Sequence, residues 1–248
     1  MTLVGRVRSE TGAAWRSFVR RRTAVFFTFF FPVLLIVIFG SLVQTQPTGG
    51  GLFTEPDGFY VPGYLAVVVL FTPLSRVGST IARHREHNRF EKLATTPLTR
   101  AEWLAAHTLV NAALVGIASL VVFAVMLLVT DAAVTASVLL VPFVFLAVTV
   151  FAGVGAVIGR VADSQDGVIA ASNALAIPLL FLSETFVPTS MLPAWFQPVV
   201  NLSPLTYFSR GVRAATFSGG DPFGDLLVLA AVAVVAFAAG AYAIPRTD

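Results

Sequence analysis

Six apolar runs, each long enough to cross a lipid bilayer as a helix, constrain this chain more than any other feature. A hydrocarbon core about 30 Å thick requires roughly 20 apolar residues per helix. Polar or turn residues bound every run, and the runs cover residues 24–43, 59–81, 103–129, 134–159, 167–186 and 223–244. The pattern predicts an all-α integral membrane protein whose residues 1–248 form a single transmembrane domain.

The composition points to the same class of protein. Hydrophobic residues make up 56% of the 248 residues and charged residues only 12%, which is roughly half the charge of a typical soluble domain. The chain has no cysteine, so disulfides, thiol nucleophiles and thiolate metal sites are excluded. The net charge is +3, but the basic residues cluster beside the apolar runs, which indicates membrane topology and contact with lipids rather than nucleic acid binding.

The distribution of basic residues predicts the orientation. Short loops that are rich in Lys and Arg stay in the cytoplasm. Six arginines precede the first run and a second basic cluster lies between the second and third runs, whereas residues 44–58 contain no basic residue. The loops on this opposite side hold only Arg210 and Arg213. We therefore expect a multi-pass protein of the cell membrane with both termini in the cytoplasm.

Residues 1–22 are predicted to form an interfacial helix. Apolar residues recur there near helical spacing, and the arginines lie largely elsewhere on the wheel, as in a helix that lies in the membrane interface. The alternative is a basic tail that only sets the orientation. The apolar run that follows has no Ala-x-Ala cleavage site, so we expect it to be a span rather than a signal peptide.

The connection between the second and third runs, residues 83–100, is called the inner connection below. It carries charges of both signs and is short enough to be a single helix that ends before Pro97. Phe90 and Leu93 give it a small apolar face. A charged helix with an apolar stripe between two spans is expected to lie against a protein surface. The alternative is a simple positive-inside loop.

Two parts of the sequence resemble the ABC type-2 transporter permease family. The inner connection is similar to the family signature after span two in Arg85–Glu86, Phe90–Leu93 and Thr96–Arg100. The segment between the fifth and sixth runs is similar to the family's outer segment in Leu182–Pro188, Leu192–Gln197, Asn201–Tyr207 and Arg213. The chain departs from the family at Asn88 and Arg89, which replace a Gly-Thr pair, and at Glu184, which replaces a glycine.

The resemblance implies the permease subunit of an ATP-binding cassette exporter, which moves a hydrophobic or amphipathic substrate, a drug or a lipid, outward. It implies that the inner connection is a coupling helix docked on a separate ATPase, and that two ATPase subunits and a second permease copy, identical or paralogous, complete the transporter. It also implies that the outer segment, residues 187–222, folds back as re-entrant helices. Prolines that break a long helix agree, namely Pro188, Pro193, Pro198 and Pro204.

ATP chemistry is expected to come from the partner. A P-loop requires a glycine-rich turn followed by Gly-Lys-Ser/Thr, and the only lysine, Lys92, follows Glu91 instead. We therefore predict a transport subunit that is no enzyme and binds no cofactor, while the ATPase uses ATP and Mg²⁺. A metal site is disfavoured because His84 and His87 lie among cations. A membrane enzyme acting on lipids, a polysaccharide-export permease and a non-transporting assembly factor remain as alternatives.

The candidate residues for ATPase coupling lie in the inner connection. They are Glu86, Arg89, Phe90, Glu91 and Leu93. Glu86 and Glu91 are predicted to be polar contacts, and a partner surface is predicted to bury Phe90 and Leu93.

The candidate residues for the substrate pathway are polar residues of the spans, because such side chains tend to face the bundle interior. They are Thr72, Ser75, Asn173, Ser183 and Glu184. The alternative role is hydrogen bonding between helices. For Glu184, at the outer end of the fifth run, we predict a role in substrate release or outer gating rather than in folding. Gly155 and Gly159 are predicted to pack against a neighbouring helix.

Overall fold

The computed structural model describes residues 2–38, 55–129, 134–186 and 192–245. Every regular element within these residues is helical. The α-helices are α1 (Leu3–Val19), α2 (Arg22–Val37), α3 (Val61–Glu86), α4 (Arg89–Ala94), α5 (Arg100–Val129), α6 (Leu140–Val161), α7 (Gln165–Leu182), α8 (Gln197–Val200), α9 (Pro204–Arg213) and α10 (Phe223–Ala243). A 3₁₀ turn, Asp57–Tyr60, precedes α3, and a π-helical turn, Ala214–Ser218, follows α9.

Five of the helices are long and apolar enough to cross a membrane. These candidate spans are Gly58–Glu86, Arg100–Leu128, Leu140–Val161, Gln165–Leu182 and Phe223–Ala243. They correspond to the second to sixth apolar runs of the sequence. Helix α2 is also apolar but has only 16 residues, and the rest of the predicted first span, residues 39–43, lies outside the described residues. The six-span topology therefore stays a prediction.

The largest differences from the predicted span boundaries lie at the end of α3, the start of α6 and the end of α7. Helix α3 continues beyond residue 81 to Glu86, because a charged helix end can extend past the hydrocarbon. Helix α6 begins at Leu140 rather than at residue 134. Helix α7 ends at Leu182 rather than at residue 186, because the backbone turns to an extended conformation at Ser183 (ψ 156°).

Side-chain caps fix the beginnings of several helices. The hydroxyl groups of Thr2 and Ser164 accept hydrogen bonds from backbone amides in the first turns of α1 and α7. Thr99 and Glu102 form a reciprocal capping box at the start of α5: the Glu102 carboxylate accepts from the Thr99 amide (2.8 Å), and the Thr99 hydroxyl accepts from the Glu102 amide (3.2 Å).

Helix α1 is amphipathic, as the sequence predicts, and it packs on α5. Ala14 and Phe18 are buried and belong to one apolar cluster with Val110 and Leu114 of α5. Apolar residues of α1 also remain exposed, Trp15 among them. Exposed apolar side chains beside basic ones are what an interfacial helix presents to lipid, so the interfacial position stays a prediction.

Glycines set the close packing of α6 against its two neighbours. A Cβ on Gly155 would clash with the backbone of Leu74 in α3, and a Cβ on Gly159 would lie 2.5 Å from the carbonyl oxygen of Gly78. On the other side of α6, Gly153 lies against the α10 backbone, where Gly240 allows the approach. The prediction that Gly155 and Gly159 pack against a neighbouring helix is confirmed.

Replacing Gly155 by alanine is expected to destabilise the fold by about 1–3 kcal/mol, because the added methyl group must push α6 away from α3. Gly116 on α5 is the matched control, since a Cβ there would meet nothing within 4 Å. Gly116→Ala should leave stability unchanged or raise it by up to about 1 kcal/mol through helix propensity. Thermal unfolding of both variants in detergent checks the contrast; equal unfolding temperatures would contradict the packing argument.

From residue 192 on, the part of the outer segment that the structure describes contains two short helices and the π-helical turn. Pro198 and Pro204 lie in the first turns of α8 and α9, where the missing amide costs nothing. Helix α9 packs into the domain through Leu205, Phe208 and Val212, which are fully buried. The expected break of one long helix into short ones is therefore present, while Pro188 lies outside the described residues. Re-entry of these helices into the membrane stays a prediction.

Candidate functional site

A large apolar cavity lies between α2, α3 and α7. Its volume is about 790 Å³, which is within the range of small-molecule sites. Aromatic and aliphatic side chains form most of its wall, including Phe27 and Phe31 of α2, Phe71 of α3 and Phe181 of α7. Such a wall favours the apolar part of a ligand through the hydrophobic effect.

Three of the five pathway candidates line this cavity. Thr72 and Ser75 reach it from α3 and Asn173 reaches it from α7. The structure thus brings together polar residues that are about 100 positions apart in the sequence. Asn173 is exposed on the α7 surface, and an amide at membrane depth requires water, a ligand or a protein partner.

The other two pathway candidates, Ser183 and Glu184, do not line the cavity but lie just beyond the end of α7. Ser183 is buried and its hydroxyl donates to the backbone carbonyl of Leu180 (3.2 Å). It also contacts the hydroxyl of Thr185, which in turn lies 3.1 Å from the Ser209 hydroxyl of α9. These buried hydroxyl groups join the end of α7 to α9.

Glu184 forms an ion pair with α9. Its residue is only 7% exposed, and its carboxylate accepts from Arg210 Nε at 2.5 Å and Nη2 at 2.6 Å. The Glu184 backbone carbonyl accepts from Arg213 Nη2 at 2.6 Å. The hydrogen bond to Glu184 raises the pKa of Arg210, and burial lowers the pKa of Arg213 to about 10. Both arginines stay charged at neutral pH and hold the α7 end in place.

The inner connection is not the single helix that the sequence predicts. Helix α3 runs to Glu86, Asn88 takes a left-handed conformation (φ 50°), and the separate helix α4 covers Arg89–Ala94. Asn is one of the few residues that adopt this conformation readily. The break redirects the chain, so the coupling candidates belong to two helices rather than to one.

Phe90 is buried within the chain itself. It is 4% exposed, and its ring centroid lies 5.4 Å from that of His84 and 5.9 Å from that of Trp103. The sequence pattern predicts that a partner surface buries Phe90, whereas most of the ring is already covered by the chain itself, and its small exposed part lines the cleft described below. Leu93 is half-buried on the same face, while Glu91 is exposed on the outer face of α4.

Polar contacts tie the inner connection to two further spans. Glu86 accepts from the backbone amide (3.3 Å) and the side-chain amide (3.2 Å) of Gln165 at the start of α7. Arg85 donates to the carbonyl oxygens of Gly159, Arg160 and Ala162 at the end of α6, at 2.8–3.2 Å. A displacement of this connection would therefore reach α6 and α7 directly.

A cleft of about 510 Å³ lies beside α4 on the same end of the molecule. Leu93 and Leu98 of the inner connection form one wall, and Tyr242 and Ile244 at the end of α10 form the opposite wall. Arg100 bridges the two walls, since its Nη1 donates to the carbonyl oxygen of Tyr242 (3.1 Å). The cleft and the exposed face of α4 form a continuous surface that a second protein can contact.

Comparison with known proteins decides the family. The family model described as "ABC-2 type transporter" matches residues 7–217. The chain belongs to this family. It is also 24% identical over 204 residues to a protein of Porphyra purpurea named as a transport permease, ycf38. That alignment covers 73% of the chain and 64% of the relative, so the chain spans less than two thirds of the relative's length.

The range that matches the ABC-2 family includes the inner connection and the outer signature residues up to Arg213. It also includes the residues that line the apolar cavity. The resemblance stated from the sequence is confirmed. Among the described residues, no group of three or more His, Asp or Glu side chains could hold a metal ion.

Sequence reasoning missed two contacts that position α1 of this member of the ABC-2 family. Arg6 forms an ion pair and hydrogen bonds with the buried Glu102 of α5. Glu10 lies 3.4 Å from Nε2 of His107, also in α5, and this contact lowers the pKa of Glu10. The two carboxylates had no visible sequence signal, because their partners lie about 96 residues away in the chain.

Proposed function

We propose that this chain is the permease subunit of an ATP-binding cassette exporter that moves a hydrophobic or amphipathic molecule, a drug or a lipid, outward across the cell membrane. The apolar cavity between α2, α3 and α7 carries the proposal. Its volume suits a molecule of drug or lipid size, and Thr72, Ser75 and Asn173 supply a few polar contacts in an otherwise apolar wall.

A separate ATPase drives the cycle in this proposal. The exposed face of α4 and the cleft beside it provide the docking surface, with Glu91 as an exposed polar contact. Glu86 and Arg85 then pass the movement to α7 and α6 through the hydrogen bonds described above. The permease itself binds no cofactor, and the ATPase uses ATP and Mg²⁺.

Two ATPase subunits and a second permease copy complete the transporter. The exposed surface of α2 and α7 around the cavity supports the second copy: Phe31 and Phe181 are about half exposed, and Asn173 lies exposed between them and the inner end. A second copy at this face would close the cavity from the lipid and give the Asn173 amide a polar surrounding.

Narrowing the cavity is expected to reduce transport. Ile177 lines it and is 50% exposed, so Ile177→Trp fills space without displacing the core. Val235→Trp on α10 is the matched control, since Val235 is 69% exposed and lies away from the cavity. ATP-dependent accumulation of a hydrophobic fluorescent dye is measured in inside-out vesicles that contain the permease and its co-purified ATPase.

We expect Ile177→Trp to lower the initial rate about tenfold, the order expected when about 1.4 kcal/mol of substrate binding is lost, while Val235→Trp transports normally. Loss of dye accumulation without ATP would support the exporter. Accumulation that needs neither ATP nor an ATPase, or equal rates for both variants at equal abundance, would contradict it.

The proposed orientation makes a separate prediction. The chain has no cysteine, so single cysteines can report topology. A cysteine at His87, in the inner connection, is expected to be protected from an impermeant maleimide in intact cells, and one at Ser218, beyond α9, is expected to react. Both positions are exposed, so protection reports the side of the membrane. Labelling of a cysteine at position 87 in intact cells would show that the inner connection lies outside, and would contradict the proposed orientation.

A further inference from the structure

A second cavity, of about 520 Å³, lies where α1 meets α3, α4, α5 and the start of α7. We call it the basic cavity. Four arginines from three parts of the chain line it: Arg21, Arg76, Arg83 and Arg89. The carboxylate that lines it among the described residues is that of Glu10, and His84 and His107 complete its titratable wall.

The positive charge of the basic cavity is only partly balanced, because Glu10 lines it and Glu86, the carboxylate that acts on Arg83, accepts hydrogen bonds from Gln165. Glu10 contacts His107 at 3.4 Å, so its carboxylate is directed to the histidine. The Arg76 guanidinium lies 4.2 Å from the centroid of the Phe18 ring, and its Nη1 is buried with no hydrogen-bond partner in the described part of the chain. Within the described part of the chain, the Arg83 guanidinium donates a long hydrogen bond of 3.4 Å to the Thr80 hydroxyl.

Guanidinium groups that converge in a partly buried space repel one another, and the repulsion is stronger there than in water. An anion that accepts several hydrogen bonds removes this repulsion. Phosphate fits best, because its oxygens match the forked donors of arginine. A phosphate group would therefore suit this cluster of arginines.

The basic cavity joins the apolar cavity. Ala24, Ser75 and Arg76 line both of them, so one ligand can occupy the two spaces at once. Its phosphate would contact the arginines, and its apolar part would extend along the phenylalanines of α2 and α3. The basic cavity also lies beside the amphipathic α1 and the arginine-rich end of α3, the level at which lipid head groups are expected.

We propose that the basic cavity binds the phosphate head group of an acidic lipid of the inner leaflet, with an acyl chain in the apolar cavity. Arg76 is placed at the junction and contacts the phosphate together with Arg83, while Arg21 and Arg89 close the site from the solvent side. The inference goes beyond the proposed function, because this binding needs neither ATP nor an ATPase and holds whether or not the lipid is exported.

Native mass spectrometry of the whole chain in a nonionic detergent tests the proposal. Phosphatidylglycerol and phosphatidylcholine with the same acyl chains are titrated separately. We expect phosphatidylglycerol to bind about tenfold more tightly, and the variant Arg76→Gln/Arg83→Gln to remove this preference, since each basic residue contributes on the order of a fivefold change in affinity for acidic lipid.

Two further variants keep the test decisive. Arg21→Gln/Arg89→Gln changes two exposed residues of the same cavity, so it tests the site even where the Arg76 variant fails to fold, and it is also expected to lose the preference. Arg8→Gln/Arg16→Gln removes two charges from exposed positions of α1 outside the cavity and is expected to keep it.

Equal binding of the two lipids to the unaltered chain would overturn the proposal, as would an equal loss in the Arg8/Arg16 control. Inorganic phosphate and glycerol phosphate are added as competitors. If inorganic phosphate and glycerol phosphate displace phosphatidylglycerol only at much higher concentrations, the result supports a lipid ligand. Displacement at matching concentrations would show a site for free phosphate and would refute the lipid assignment. Dye transport by the complex, measured separately, reports on the proposed function alone.

Discussion

Replacing Phe90 by alanine is expected to destabilise the protein by about 3–5 kcal/mol, the usual cost of deleting a buried aromatic ring. The ring is 4% exposed and packs against His84 and Trp103. Because α4 has only six residues, it cannot persist alone, and Phe90 is its buried attachment to the domain. Thermal unfolding in detergent and the amount of ATPase that co-purifies are the two measurements.

Both quantities are expected to fall together, because a detached α4 no longer presents its outer face. Glu91→Ala, one position along on the exposed face, is the control: it should change the free energy of unfolding by less than about 0.5 kcal/mol while it lowers ATPase-dependent transport. A Phe90→Ala variant that unfolds at the normal temperature but loses the ATPase would mean that the ring contacts the partner directly, against the structure.

Phe90 was predicted to contact a partner, but in the structure it attaches α4 to the domain. A sequence pattern could predict its apolar face but not the residues that cover it. Spacing shows that Phe90 and Leu93 share an apolar face of a charged helix, but it does not show what covers that face. Here the cover is Trp103, at the start of the next span and only 13 residues later. The sequence contained this signal, because Trp103 lies in the first turn of α5, just after the inner connection. The pattern of charges nevertheless predicted a partner surface.

The helices themselves could be predicted, because hydrocarbon leaves the backbone few alternatives to a helix. The five long apolar helices follow the second to sixth runs, and the largest boundary differences arise where the chain leaves the hydrocarbon. At Glu86 the helix continues because water tolerates its charged end. At Asn88 it breaks through a single left-handed residue, a choice that Asn allows but does not require.

The candidate site could be predicted only in part. Thr72, Ser75 and Asn173 stood out because polar residues are rare in spans, and they meet in one cavity. The phenylalanines that shape this cavity did not stand out, because 22 of them occur along the chain. The basic cavity could not be predicted either. In the sequence, Arg21, Arg76 and Arg83 only indicate the orientation of the chain in the membrane, and their proximity follows from helix packing.

The sequence also could not show the partner of Glu184, whereas the structure predicts the effect of replacing this residue. The sequence showed an unusual carboxylate and, 26 residues later, Arg210 on a side with few basic residues, but nothing that paired them. The bidentate contact now predicts that Glu184→Ala destabilises the protein by about 3 kcal/mol. This is the lower end of the range for breaking a buried pair, because the Arg210 side chain is 34% exposed and water offsets part of the loss.

A double-mutant cycle separates this structural role from the gating role predicted from the sequence. Glu184→Gln, Arg210→Gln and the double variant are compared by thermal unfolding in detergent and by dye transport at equal membrane abundance. We expect each single change to lower the free energy of unfolding and the double change to cost less than their sum, because neither partner is then left unpaired. The pair joins the end of α7, which lines the apolar cavity, to α9, so a variant that folds normally but transports slowly would favour gating. Additive losses in stability would show that the two side chains do not interact, and would contradict the geometry from which both roles are argued.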